Sequence, residues 1–298
     1  MDQLTKKPLF NPQGDTGLLK RRVIGGNTTN LNDFNNVRYT WVKDWYRQAM
    51  NNFWIPEEIS LGQDKKDYPE LSHDERAAYD KILSFLVFLD SIQTANLPNI
   101  GEYITANEIN LCLNIQTFQE CIHSQSYSYM LDTICSPTER DSILYQWKTD
   151  EHLLRRNTFI GDCYNSFQED KSPANFLRVL MANYILEGVY FYSGFMFFYN
   201  LSRNGKMPGS AQEILWGEYV IGDRIPGLTV QMIRDYIYYL GNLRWMGLGF
   251  GTLYEGYDTE PQNMAWVSQY SNANLVKTDF FEARSTAYAK STALVDDL

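Results

Sequence analysis

The chain has 298 residues, room for one large domain or two of ordinary size. Hydrophobic residues make up 44% and charged residues 21%, a balance that excludes a disordered chain. With 26 Lys and Arg against 36 Asp and Glu, the net charge of −10 argues against nucleic acid or an anionic membrane as the main partner.

The first residues, 1–38, are rich in Asn, Gly, Lys and Arg and read as an irregular arm. Met1 to Lys7 has no apolar h-region, so no signal peptide is expected. Cys112, Cys121, Cys135 and Cys163 form no Cys-x-x-Cys pair and read as reduced thiols of a cytoplasmic protein. From Tyr39 onward helix patterns dominate. Trp41 to Met50 is amphipathic, and Phe53-Trp54-Ile55-Pro56-Glu57-Glu58 is a corner interrupted by proline. Ser72, with Glu75 three residues on, caps a helix expected over 74–96, stopping before Leu97-Pro98. A second is expected over 107–133. Ser136-Pro137-Thr138-Glu139 opens a third, expected to continue through Trp147 towards Cys163. A fourth is expected from Pro173 to Tyr199, closed by Asn204-Gly205 and Pro208-Gly209.

A short helix from Ser210 to about Ile221 and another from Thr229 to Gly241 complete a helical core over 39–260. Beyond Pro261 the residues turn polar and small, which reads as a mobile tail over 261–298. No alternating strand series and no internal repeat occurs. The expected class is all-α, a single bundle of long helices joined by short loops. The apolar run Val179–Leu201 is long enough to cross a bilayer, but Glu187 near its middle makes a buried helix the better reading, with no membrane span.

Three acidic residues stand where a charge is expensive. Asp90 follows Phe85-Leu86-Val87-Phe88-Leu89, Glu120 lies between Phe118 and Cys121-Ile122, and Glu187 lies between Tyr184-Ile185-Leu186 and Val189-Tyr190-Phe191. Buried carboxylates are paired or bound to metal, because leaving one bare costs several kcal/mol. The chain has only 3 histidines, and His123 shares a helix face with Glu120 three residues before it. Glu-x-x-His alone also describes a surface ion pair or a satisfied core histidine. Beside Asp90 and Glu187 it points to a metal site in a helical bundle. Carboxylates with one imidazole suit iron or manganese, whereas structural zinc wants thiolates or more histidines. Tyr127 follows His123 by one turn. It is either core packing, one of 21 tyrosines, or a phenol beside an oxidising metal.

These pieces resemble the small, radical-generating subunit of class I ribonucleotide reductase. The resemblance rests on Phe53-Trp54-Ile55-Pro56-Glu57-Glu58, Leu89-Asp90-Ser91-Ile92-Gln93, Phe118-Gln119-Glu120-Cys121-Ile122-His123-Ser124-Gln125-Ser126-Tyr127, and Ile185-Leu186-Glu187-Gly188 with Phe191-Tyr192. It implies a ferritin-like bundle that dimerises and holds two iron or two manganese ions. Asp90, Glu120 and His123 would ligate one metal, and Glu187 would belong with the second. Tyr127 matches the tyrosine oxidised to a radical, and Trp54 the tryptophan that carries the oxidising equivalent outward. Tyr288, with Tyr270 as the weaker match, would relay it to the large (alpha) subunit, on which residues 294–298 would dock. The large subunit then reduces the ribonucleotide, supplying DNA precursors. Whether an activase delivers the oxidant is open.

One departure from the family is large. The family carries a second Glu-x-x-His, preceded by Arg-Asp, on the helix after the one bearing the Glu187 equivalent. Here no histidine occurs after His152, and Ser210-Ala211-Gln212-Glu213-Ile214 leads straight into Trp216-Gly217-Glu218-Tyr219-Val220-Ile221-Gly222-Asp223. The chain is expected to bind at most one metal tightly and to form no stable tyrosyl radical, unless Glu213 or Glu218 is drawn inward. Two rivals share the fold: a ferroxidase or oxidase, and a non-catalytic partner of the large subunit. Gly247-Leu248-Gly249-Phe250-Gly251 lacks the Lys-Ser/Thr ending of a phosphate loop. Asp150-Glu151 with Arg155-Arg156 reads as surface pairing at i,i+4.

Overall fold

A computed structural model describes residues 3–51, 54–213 and 229–267, which fall into two compact units, Met1–Thr229 and Val230–Leu298. Among the described residues there is no strand, only two isolated bridges, Asp15 with Thr28 and Ile24 with Ile104. The arm is otherwise irregular apart from a 3-10 turn at Leu18–Lys20. The expected all-α class holds.

In the first unit, α1 spans Trp41–Asn51, a 3-10 turn spans Pro56–Glu58, and α2 is a single turn at Asp64–Asp67. Then come α3 (His73–Gly101) and α4 (Asn107–Ile134), which pack against each other along their length. Ile82, Leu83, Ser84, Phe85 and Leu86 are buried in succession, so α3 is covered on every side, as a central helix must be. The Ser72–Glu75 capping box forms in full: Glu75 N donates to Ser72 Oγ at 3.3 Å and Ser72 N to Glu75 Oε2 at 2.9 Å. The far end of α3 differs from the sequence expectation, since the helix runs through Pro98 to Gly101. Leu97, Ile100 and Gly101 are buried there, and that burial outweighs the one backbone hydrogen bond the proline removes.

The helix expected to run from Pro137 towards Cys163 is two helices, α5 (Pro137–Tyr145) and α6 (Glu151–Glu169), with a 3-10 turn between them. Asp150 makes the break. It accepts from His152 N at 3.0 Å and Leu153 N at 3.1 Å, and pairs with Lys81 at 2.8 Å. It is therefore an N-cap tied to α3, and not a partner of the arginines on its own helix.

The apolar run expected as one helix is α7 (Pro173–Ile185), a π turn at Leu186–Tyr190, and α8 (Phe191–Arg203). No described helix is long and apolar enough to cross a membrane. After α8, Asn204 and Gly205 (φ +76°) close the helix as expected. The chain is then clamped onto α2 and α3. Lys206 pairs with Glu75 at 2.8 Å, Met207 N donates to Asp67 at 2.9 Å, and Gly209 N donates to Asp64 Oδ1 at 2.8 Å. Tyr79 and Ser210 share a hydroxyl hydrogen bond at 2.8 Å. A Cβ on Gly209 would lie 2.7 Å from the Ser60 carbonyl, so only glycine lets α9 (Pro208–Glu213) approach this closely. The expected helix to Ile221, the Trp216–Asp223 segment, Glu218 and the side chain of Glu213 lie outside the described residues.

In the second unit, α10 (Val230–Gly247) extends two turns past the expected Gly241. Asn242 ties the loop after α10 back onto the helix. Its Nδ2 donates to the Tyr254 carbonyl at 2.7 Å while its Oδ1 accepts from Leu253 N and Tyr254 N. The glycine-rich Gly247–Gly251 stretch is thus the turn of a returning loop, with Gly249 at φ +86° and Trp245 stacked on Phe250 at 4.4 Å. Tyr270, Tyr288 and residues 294–298 lie outside the described residues.

Candidate metal centre

Two helices and a π turn deliver the polar interior. Asp90 comes from the middle of α3 and is 1% exposed; Glu120, from the middle of α4, is 3% exposed. His123, one turn beyond Glu120, has a side chain 37% exposed, and Glu187 sits on the π turn between α7 and α8. Single π turns inside α-helices recur at functional sites, because the inserted residue re-aims a side chain. No periodicity in the sequence announces one.

Asp90, Glu120 and His123 each offer one ligand atom, and these atoms all lie within 4.8 Å of one another. His123 Nδ1 stands 3.1 Å from Glu120 Oε2. The structure therefore brings three of the four expected residues into one donor set. Glu187 stands beside this set, near enough to act electrostatically on Asp90, with its Oε1 accepting from Gln93 Nε2 at 2.7 Å. Tyr127 is buried and donates its phenol proton to Asp90 Oδ2. Trp54 packs against the His123 ring at a centroid distance of 6.3 Å. Phe53 lies outside the described residues.

The electrostatics of the site are those of too many carboxylates in too little water. Burial first, and then the Glu120 carboxylate, hold Asp90 protonated well above the usual carboxylate range. Burial pushes Glu120 up to about 8, against a hydrogen bond from Gln116. Burial, then the charge of Glu120, pushes Glu187 up to about 8 as well. The Tyr127 phenol is raised by burial and by the adjacent Asp90. The second oxygen of Asp90, Oδ1, has no hydrogen-bond partner among the described residues. A buried carboxylate oxygen left bare is costly, and an incoming cation would satisfy it.

A second polar layer went unread in the sequence. Gln93 donates to Glu187 and to Asn183 Oδ1 at 2.6 Å, and it accepts from the Tyr164 phenol at 2.8 Å. Gln93 lies three residues after Asp90 and so shares its face of α3, which was the available signal.

The family model described as "Ribonucleotide reductase, small chain" matches residues 31–217. A ribonucleoside-diphosphate reductase subunit beta from Treponema pallidum is 62% identical over 344 positions, covering 99% of this chain and 98% of the relative. Since 298 residues cannot fill 344 positions, at least 46 positions of that relative face nothing here. A subunit beta from Halalkalibacterium halodurans is 32% identical, with 98% of each chain covered. The solved ribonucleotide reductase R2 subunit from Clostridium botulinum is 44% identical and covers 91% of this chain and 99% of its own, with a TM-score of 0.85.

Proposed function

From the premise that this chain belongs to the ribonucleotide reductase small-chain family, an oxidoreductase subunit acting within a complex, we propose that Asp90, Glu120 and His123 hold one redox-active cation beside Tyr127. The observation that carries this reading is the convergence of those three ligand atoms within 4.8 Å, inside an apolar bundle. The unpartnered Asp90 Oδ1 supports it. Two carboxylates and an imidazole suit iron or manganese equally, and the donor set does not resemble structural zinc. A cation bound there would supply the oxidising power that the family turns on a phenol.

The residues have separate tasks. Tyr127 can give up an electron only if its proton has somewhere to go, and Asp90 Oδ2 already accepts that proton's hydrogen bond. Burial keeps water from the ring. Trp54, against the His123 ring, marks the outward route. Tyr288, or less favourably Tyr270, would continue it, and the tail over 261–298 would dock on the large subunit of a complex built around a homodimer.

The second metal is a different matter. Among the described residues only Glu187 remains for it, and no histidine occurs after His152. We therefore read the chain as a small subunit with half a metal site. Aerobic loading with iron or manganese, metal analysis and paramagnetic resonance test this. One metal per chain without a stable tyrosyl signal is expected; two metals with that signal would overturn the half-site, and none would overturn the metal site itself. The same shortage of ligands favours one second reading, a partner that docks on the large subunit without chemistry. Binding to that subunit, competed by a peptide copy of the tail, without turnover would identify it. A simple oxidase has no use for Trp54 at His123.

A further inference from the structure

Gln93 is fully buried, yet an amide is a poor ligand for the cation this site would take. Its hydrogen bonds are all committed. Nε2 faces two acceptors, Glu187 Oε1 at 2.7 Å and Asn183 Oδ1 at 2.6 Å, so the NH2 end must point that way. Oε1 faces two donors, the Tyr164 phenol at 2.8 Å and Asn96 Nδ2 at 3.4 Å. The amide consequently has one orientation, and a flip would set donor against donor and acceptor against acceptor. A hydrogen bond to a carboxylate is among the stronger kinds. This one ties the carboxylate of the π turn directly to α3.

We propose that Gln93 is a positioning residue: it fixes the Glu187 carboxylate beside Asp90, Glu120 and His123, with Tyr164 fixing Gln93 in turn, and so raises the site's affinity for a divalent cation. The proposal rests on the reading of that site as a cation site. The hydrogen-bond partners of ligating carboxylates characteristically change metal affinity about 10- to 100-fold when lost, and Glu187, standing beside the three donors, puts Gln93 at the lower end of that range.

The test is titration of the metal-free full-length chain with Mn(II), monitored by loss of the free-ion resonance signal. Gln93→Met keeps the volume and removes both ends of the relay. It should bind about 10-fold more weakly than the unaltered chain. Tyr164→Phe leaves Gln93 in place with its carbonyl end less restrained, and should weaken binding by a smaller factor. In a Glu187→Gln background, Gln93→Met should add nothing further, because its effect passes through Glu187. Mn(II) affinity unchanged in Gln93→Met, or a penalty undiminished in the Glu187→Gln background, overturns the proposal. If Gln93→Met does not fold, Tyr164→Phe carries the test, and unaltered affinity there overturns it. No Mn(II) binding by the unaltered chain would instead overturn the metal site, leaving the two failures distinguishable.

Discussion

Replacing Tyr127 with Phe should cost the metal-free chain more stability than the metal-loaded one. The Tyr127 phenol is the hydrogen-bond donor to Asp90, whose other oxygen has no hydrogen-bond partner among the described residues. Phe fills the same space and deletes only that donor, so the loss is the penalty of a buried acceptor left unmade, about 1–3 kcal/mol. A bound cation would satisfy Asp90 by itself, and the penalty then shrinks. By linkage the difference reappears as affinity: each 1.4 kcal/mol by which the metal-free chain suffers more makes the cation bind about tenfold tighter to Tyr127→Phe. Urea unfolding monitored by tryptophan emission, with and without Mn(II), reads both arms of this cycle. A variant as stable as the parent without metal would show that Tyr127 does not support Asp90. An equal loss with and without metal would show that Asp90 is not where the cation binds.

Three more outcomes rest on the same geometry. Glu120 and Glu187 are both pushed up to about 8, so the folded metal-free chain holds protons that the unfolded chain releases near 4.5. Their contribution is therefore fully present below about pH 4.5 and is lost as pH rises through 8, and thermal melting across that window should show this fall flattened by bound Mn(II). For the same reason, calorimetry at pH 7 in buffers of different ionisation enthalpy should count at least one proton released per metal bound. Lys206→Met should destabilise the chain by about 1–2 kcal/mol, since Lys206 and the Ser72 cap hold Glu75 below the usual carboxylate range despite its burial. That contribution is present at neutral pH and vanishes as pH falls through the carboxylate range, so parent and variant melting temperatures should converge in acid.

The sequence was most legible where a local rule decides local structure. Ser72 with Glu75 and Ser136 with Glu139 mark helix starts, and both cap as their spacing requires. It was least legible where packing overrides a local rule, as at Pro98, or where a side chain has a distant partner. Asp150 looked like half of a surface pair because its real partner, Lys81, lies on another helix. The donor set was readable because Asp90, Glu120 and His123 are polar residues in apolar surroundings. The amide layer around Gln93 was not, because an Asn or Gln in a helix pattern gives no sign of whether it faces water or a carboxylate. The π turn had no signature at all, since it changes where Glu187 points without changing which residues are apolar.

On the half-site reading a segment is missing from the middle of the bundle, yet Asp90, Glu120 and His123 still converge as a three-donor set. The clamp made by Asp64, Asp67, Glu75 and Tyr79 fixes the chain as far as Ser210 and so holds the far end of α8 against α2 and α3. Glu187 is the residue most vulnerable to the loss, being the one of the four expected ligands outside the three-donor set. Its hydrogen bond comes from Gln93 on α3, which does not depend on the lost segment. The three-donor set is thus assembled from α3 and α4, with the π turn bringing Glu187 beside it. On the half-site reading proposed above, the number of cations bound per chain, and not the affinity for the first, is the measurement that distinguishes this chain from a small subunit with two.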